Sequence, residues 1–200
     1  MILMELVCVD SNLIAKLPIS NFSLKWEGLK VSHGEYSEIC SISIRTKEVQ
    51  ALNSVLKTEF KVSLPEPNRM LRHDSGCIFW FSRSQWFITS DSVNPYFDKD
   101  LIKIFKGQPS ITLQTDGWTP ILLVGEKCKL LLERLVKINL CEQNFPKGSS
   151  TRTVCSHINI ILQRPFEVNK YMILVERSYA KSLLDNIYEA GVNFIGTEPI

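Results

Sequence analysis

An α+β fold built from two packed βαββα halves is predicted by three features of this 200-residue sequence. Two stretches, Cys40 to Thr89 and Trp118 to Arg177, repeat one layout at an offset of about 80 residues, too long and too few for a solenoid. Within each, the apolar pattern switches from strand-length runs to helical spacing and back. The composition, 44% hydrophobic and 22% charged, is that of an ordinary globular chain, which excludes disordered and fibrous classes.

In the second half, WTPILLV at 118–124 is an apolar run of strand length closed by Gly125. Helical spacing then takes over, with Cys128, Leu131, Leu132, Leu135 and Val136 on one face and charged residues on the other. After a turn at 144–148 come a strand from Thr153 to Leu162, a break near Arg164-Pro165 and a strand at 171–175. Ser178 is placed to cap a helix with apolar face Ala180, Leu183, Leu184 and Ile187, ending at Gly191. The first half follows suit: a half-buried strand at 40–45, and a helix capped by Thr46 with Val49, Leu52, Val55 and Leu56 inward. The turn-rich LPEPNR at 64–69 precedes an aromatic hairpin, CIFWF at 77–81 and QWFIT at 85–89, and Leu101, Ile102 and Phe105 form a last helical face.

The division falls at Gly107-Gln108-Pro109, giving residues 1–108 as an N-terminal half and 109–200 as a C-terminal half opened by the strand-like ITLQT, with intertwining of the two left open. Residues 1–34 hold neither period for long and read as an arm along the first half; the tail NFIGTEPI reads as partly free.

A net charge of +2, with lysines scattered beside acids, gives no basis for nucleic-acid binding. No apolar run approaches the roughly 20 residues that cross a bilayer, and MILMELVCVD carries Glu5 and Asp10 where a signal peptide would be clean, so a cytoplasmic chain is expected. Six cysteines without a CxxC pair read as buried reduced thiols. Three histidines without a paired nucleophile, and carboxylates without paired spacing, carry no catalytic or metal motif. There is no GxGxxG or GxxxxGK[ST], and Gly125 before a helix reads as a tight turn. The aromatics Phe79, Trp80, Phe81, Trp86 and Phe87 fall on both faces of one hairpin, so both faces must be covered, either within the fold or by another chain.

Several of these stretches together resemble the gamma subunit of heterotetrameric sarcosine oxidase. LPEPNR at 64–69 and SRSQWFIT at 82–89 are similar to that family's "LP…PNR … WLGPDEWLL". ILLVGEKCKLLLERL at 121–135, KINLCEQNFPKGSSTRT at 137–153 and LVERSYAKSLLDNI at 174–187 are similar, in order, to "LRLSGPRAREVLA", "PVDLHPRAFPPGSAAQT" and "LVPRSFAESLWDWL". SRSQW in place of GPDEW, GEK in place of GPR and TLQTDGW without "DVSHG" are the departures.

The resemblance implies mostly antiparallel sheets in a fold like the folate-binding region of glycine-cleavage aminomethyltransferase. It implies partnership with alpha, beta and delta subunits in a complex that oxidises sarcosine to glycine, forms hydrogen peroxide and passes the one-carbon unit to tetrahydrofolate. In such a complex FAD, FMN, NAD and tetrahydrofolate sit on other chains, so this chain is expected to hold no cofactor, metal or catalytic residue, and to bind neither nucleic acid nor membrane. Contacts with the alpha subunit are expected from Trp80, Trp86, Phe145, Pro146, Arg177 and Tyr179. The alternative is a free-standing tetrahydrofolate-binding protein of the aminomethyltransferase or YgfZ type, although the "KGCYxGQ" signature of the latter is absent.

Overall fold

The computed structural model describes residue 19 and residues 22–34, 36–45 and 48–199. In chain order these form β1 (Ser23–Trp26), β2 (Leu29–His33), β3 (Glu38–Ser43), α1 (Val49–Glu59), β4 (Met70–His73), β5 (Gly76–Ser82), β6 (Gln85–Ser90) and α2 (Phe97–Ile104). There follow β7 (Ser110–Leu113), β8 (Trp118–Val124), α3 (Cys128–Leu135), β9 (Ser149–Cys155), β10 (Ile158–Arg164), β11 (Lys170–Glu176) and α4 (Ala180–Ile195). The strands make two antiparallel sheets, one ordered β1-β2-β8-β11-β10-β9 and the other β4-β5-β6-β3-β7, so the chain is α+β.

The order β8-β11-β10-β9 reproduces β3-β6-β5-β4, with α3 and α4 in the places of α1 and α2. Each unit is βαβββα, one strand richer than its apolar spacing predicts. In the second unit the stretch expected to be one strand from Thr153 to Leu162 is the β9–β10 hairpin, turning at Ser156 (φ 44°) and His157 (φ 74°). Two residues of positive φ suit such a turn. Ser-His lacks the usual Asn-Gly signature, so the turn leaves little trace in the sequence.

Two segments lie elsewhere than their position in the chain suggests. The arm expected along the first half contributes the β1–β2 hairpin to the six-stranded sheet, where β2 pairs with β8. ITLQT, expected to open the second half, supplies β7 beside β3 in the five-stranded sheet. In each unit the first strand is buried along its centre (Ile121 and Leu123, Cys40 and Ile42), and a strand from outside the unit pairs with its otherwise open edge.

Three apolar cores explain why so many strands read as unbroken apolar runs. Ile121, Leu123, Ile160, Leu162, Ile173 and Val175 face α3 and α4. Ile42, Ile78, Trp86 and Ile88 face α1 and α2. Between the sheets lie Ile39, Phe79, Phe87, Leu122, Ile161, Met172 and Leu174. Successive residues of one strand thus enter different cores, as the two-residue strand period requires. The aromatic hairpin obeys the same rule: Trp86 points to the helices while Phe79 and Phe87 point to the other sheet, so both faces are covered within the chain.

The helix ends depart in places from their sequence signals. Thr46 lies outside the described residues. Ser178 sits in a 3-10 turn over Arg177–Tyr179, and α4 starts without a side-chain cap. Gly191 does not end α4, which runs on to Ile195 and stops at left-handed Gly196. A Cβ at Gly191 would lie 2.8 Å from the Trp26 ring, so glycine there serves close packing of the exchanged hairpin. On α2, Ile102 is exposed and Phe97 takes its expected inward place beside Leu101 and Phe105. Part of the tail is tied down: Trp26 Nε1 donates to the Thr197 carbonyl at 2.9 Å, and the Tyr188 hydroxyl donates to Glu198.

Gly125 adopts φ 131°, and a Cβ there would meet the Gly28 carbonyl oxygen at 2.2 Å. The turn is held to the exchanged hairpin by Lys127 N–H donating to the same carbonyl at 3.1 Å. Gly125→Ala is therefore expected to cost at least about 2 kcal/mol in urea unfolding. His73, expected in a loop, closes β4 and is 5% exposed, edge-on to Phe60 with ring centroids 5.2 Å apart. Burial holds its imidazole below the ordinary 6.5, with the Thr89 carbonyl partly offsetting this. The unfolded chain thus binds this proton more readily, and stability falls as pH drops below 6.5. Comparing unfolding free energies at about pH 7.5 and about pH 5.5 should show a smaller loss in His73→Phe than in the parent chain. Burial also pushes the Cys40, Cys128 and Cys155 thiols up to about 12 and raises that of Cys77, whereas Cys141 is half-buried. In a Cys8→Ser background, alkylation of the folded chain should begin at Cys141 and reach the other four thiols only on unfolding, as peptide mass mapping would report.

Candidate functional site

The two sheets meet edge to edge where LPEPNR and NFPKG come together. Asn68 (φ 61°) and Gly148 (φ 76°), equivalent residues of the repeat, both take left-handed backbone, which turns each chain segment into its strand. Met70 N–H then donates to the Gly148 carbonyl at 2.9 Å, and Ser150 N–H donates to the Asn68 carbonyl at 3.0 Å. Arg69 and Ser149 form the bridge between these bonds, and the Thr151 hydroxyl donates to Asn68 Oδ1 at 2.8 Å. The bonds are reciprocal, so the local twofold of the duplication passes through this pair.

A groove follows the seam. Beside Trp80, Phe81 and Arg152 it holds about 630 Å³; it continues past Asn68 and Thr151 to Asn144 and Phe145, and past Arg69 to an apolar hollow of Leu64, Pro65, Met70 and Phe166. Phe81 stacks on Phe87 at 4.5 Å and 9°, and the Arg152 guanidinium lies over its ring at 4.7 Å. Trp118 closes this cluster edge-on to Phe81 and Phe87. Beyond Trp118 lies a second hollow lined by Gln114, Gly117, Glu176, Arg177 and Ser178, where Arg177 Nη1 stands 3.6 Å from Asp116.

The six residues expected at a subunit contact divide between these regions. Trp80 and Phe145 line adjoining parts of the groove, although Phe145 is only 4% exposed and its carbonyl accepts from Arg164 at 2.6 Å. Pro146, half-buried, begins the turn that Ser149 N–H closes on its carbonyl at 3.1 Å. Trp86 is buried in the helix-side core and donates to the Pro65 carbonyl at 3.1 Å, so it shapes the LPEPNR turn from beneath. Arg177 and Tyr179 are exposed at the start of α4, apart from the groove. Arg69 and Arg152 escape a residue-by-residue reading, since nothing in the periodicity distinguishes them from other surface cations.

Among the described residues the titratable groups form no reactive set. Among the described residues no three His, Cys, Asp or Glu converge to hold a metal ion. His33 Nδ1 lies 2.9 Å from the Gly34 carbonyl, and His157 occupies an exposed turn. His73 Nδ1 meets Ser75 only at 3.4 Å, and no carboxylate hydrogen-bonds the ring among the described residues, so His73-Asp74 is not a dyad. A buried relay does cross between the sheets: Tyr36 donates to Gln163 Oε1 at 2.8 Å, and Gln163 Nε2 donates to Ser150 Oγ at 3.3 Å. Burial raises the Tyr36 phenol well above its usual value, which fixes it as a neutral donor. No helix of the described residues is long and apolar enough to cross a membrane.

Comparison with known proteins bears on the fold. No family model and no curated protein matches the sequence. Among solved structures, a chain of the heterotetrameric sarcosine oxidase from Corynebacterium sp. U-96, in complex with pyrrole 2-carboxylate, superposes with a TM-score of 0.75 at 15% identity, over 88% of this chain and 90% of that one. The glycine cleavage system aminomethyltransferase T from Bartonella henselae superposes with a TM-score of 0.52 at 10% identity, over 75% of this chain and 42% of that one. The chain thus spans under half of the aminomethyltransferase's length. Its two antiparallel sheets and flanking helices are the fold shared with both.

Proposed function

We propose that this chain is a non-catalytic subunit of a sarcosine oxidase assembly, of the gamma type, which stabilises the complex by packing on its large flavin-bearing alpha chain. The carrying observation is the two-way coverage with a chain of the Corynebacterium enzyme: 88% and 90% are near-equal shares, so the two chains are of near-equal length and match nearly end to end. The ordered sequence resemblances point the same way, and two of them, LPEPNR and NFPKG, are the turns that join the sheets. On this reading FAD, FMN, NAD and tetrahydrofolate belong to partner chains, and the chemistry of sarcosine oxidation and one-carbon transfer takes place there. What this chain contributes is shape: two sheets locked by a shared core, presenting a fixed seam and the α4 start as contact surface.

A second reading, a free-standing tetrahydrofolate-binding protein, draws on the aminomethyltransferase likeness, which at 10% identity is one of fold. Affinity-tagged chain expressed in its native cell separates the two. The subunit reading expects a stoichiometric complex with a flavin-bearing partner that oxidises sarcosine with release of hydrogen peroxide, while the isolated chain shows no flavin absorbance and no heat of binding with tetrahydrofolate. Saturable tetrahydrofolate binding by the isolated chain, with no flavoprotein recovered, would overturn it in favour of the second.

A further inference from the structure

The whole chain carries 23 Lys and Arg against 21 Asp and Glu, a near balance. The seam groove departs from it. Arg69, Arg83, Lys147 and Arg152 line the groove with Glu66 as its one acid among the described residues. None of the four cations makes an ion pair among the described residues, whereas nearby Arg72 and Arg164 hold Asp91 at 2.6 Å and Glu142 at 2.5 Å. Four unpaired cations gathered along one concave track create a local positive potential that the net charge of +2 conceals.

Resting on the reading of the chain as a contact subunit, we infer that the groove receives an extended acidic segment of a partner chain. Carboxylates of that segment pair with Arg69, Arg83, Lys147 and Arg152, and an apolar side chain enters the hollow of Leu64, Pro65, Met70 and Phe166. Phe166 in this hollow is 44% exposed and offers further apolar surface to the same segment. A single-stranded nucleic acid fits less well. Base stacking needs a series of free aromatic faces; Phe81 has one face against Phe87 and the guanidinium of Arg152 over its ring, Trp80 packs against the helix-side core, and Phe166 stands by itself in the apolar hollow.

The test uses the full chain and fluorescence polarisation with three labelled probes: a short peptide alternating glutamate and leucine, its lysine-for-glutamate counterpart, and a short oligothymidylate. The acidic peptide should bind saturably and weaken with added salt, and the doubly reversed Arg69→Glu, Arg152→Glu chain should bind it at least about tenfold less tightly. Lys30→Glu with Lys181→Glu makes the same change in net charge outside the groove and should leave binding unaltered; melting curves establish that both variants fold. Equal binding of the lysine peptide, tighter binding of the oligothymidylate, or equal weakening by the Lys30/Lys181 pair would each overturn the inference. Recovery of the flavin-bearing partner by each variant keeps the two proposals separable. If the Arg69/Arg152 variant still recovers it in full, the groove assignment falls and the subunit reading stands; if no partner is recovered but the peptide binds, the reverse holds.

Discussion

Both sheets of this protein are covered on both faces, and the rest of the architecture follows from that. One face of each sheet packs on helices, while the other faces join as the inter-sheet core around Phe79, Phe87, Leu122 and Leu174. A sheet in that position cannot alternate apolar with polar residues. It needs apolar side chains at nearly every central position, which is why residues 120–124 of β8, 160–162 of β10 and 171–175 of β11 are unbroken apolar stretches. Tyr36, Gln163 and Ser150 are tied to one another there, which replaces the water they lose, whereas the buried Thr119 Oγ1 and His73 Nε2 find no hydrogen-bond partner among the described residues.

Packing two such sheets leaves their relative rotation to be fixed, and the reciprocal bonds between residues 68–70 and 148–150 do this. Two hydrogen bonds of this kind contribute only about 1 kcal/mol each. Their effect is geometric, because they pin equivalent edges of the two units at one point. The same pinning produces the groove: β5 runs past the bridge at Arg69, and Trp80 and Phe81 stand beside β9 without a strand between to cover them.

Much of the fold was legible because periodicity survives duplication. The helices emerged from i, i+3 and i+4 spacing, and the repeat itself from two matching orders of elements. What the sequence concealed was non-local. A strand reads the same whether it pairs with its chain neighbour or with a strand from the other half, so the destinations of β1, β2 and β7 leave no mark in their own residues. Nor does the Ser156-His157 turn announce itself, since neither residue is glycine or asparagine. Of the candidate site, the two turns were visible as motifs. The gathering of four cations was not, since Arg69 and Arg152 lie in different units and line adjoining hollows only because the seam joins the two.

The reciprocal placement of strands also orders the protein's birth on the ribosome. Of the described elements the β1–β2 hairpin is made earliest, yet its pairing strand β8 is made only after the entire first unit and β7. Throughout that interval Trp26, Leu29 and Val31, all buried in the finished chain, have no core to enter. The nascent protein therefore carries a sticky apolar hairpin until its second unit arrives, the kind of exposure that recruits chaperones during synthesis. Completion of the two units is thereby joined into one late event, and cutting the chain between them would leave one sheet without β2 and put β7 on the wrong fragment.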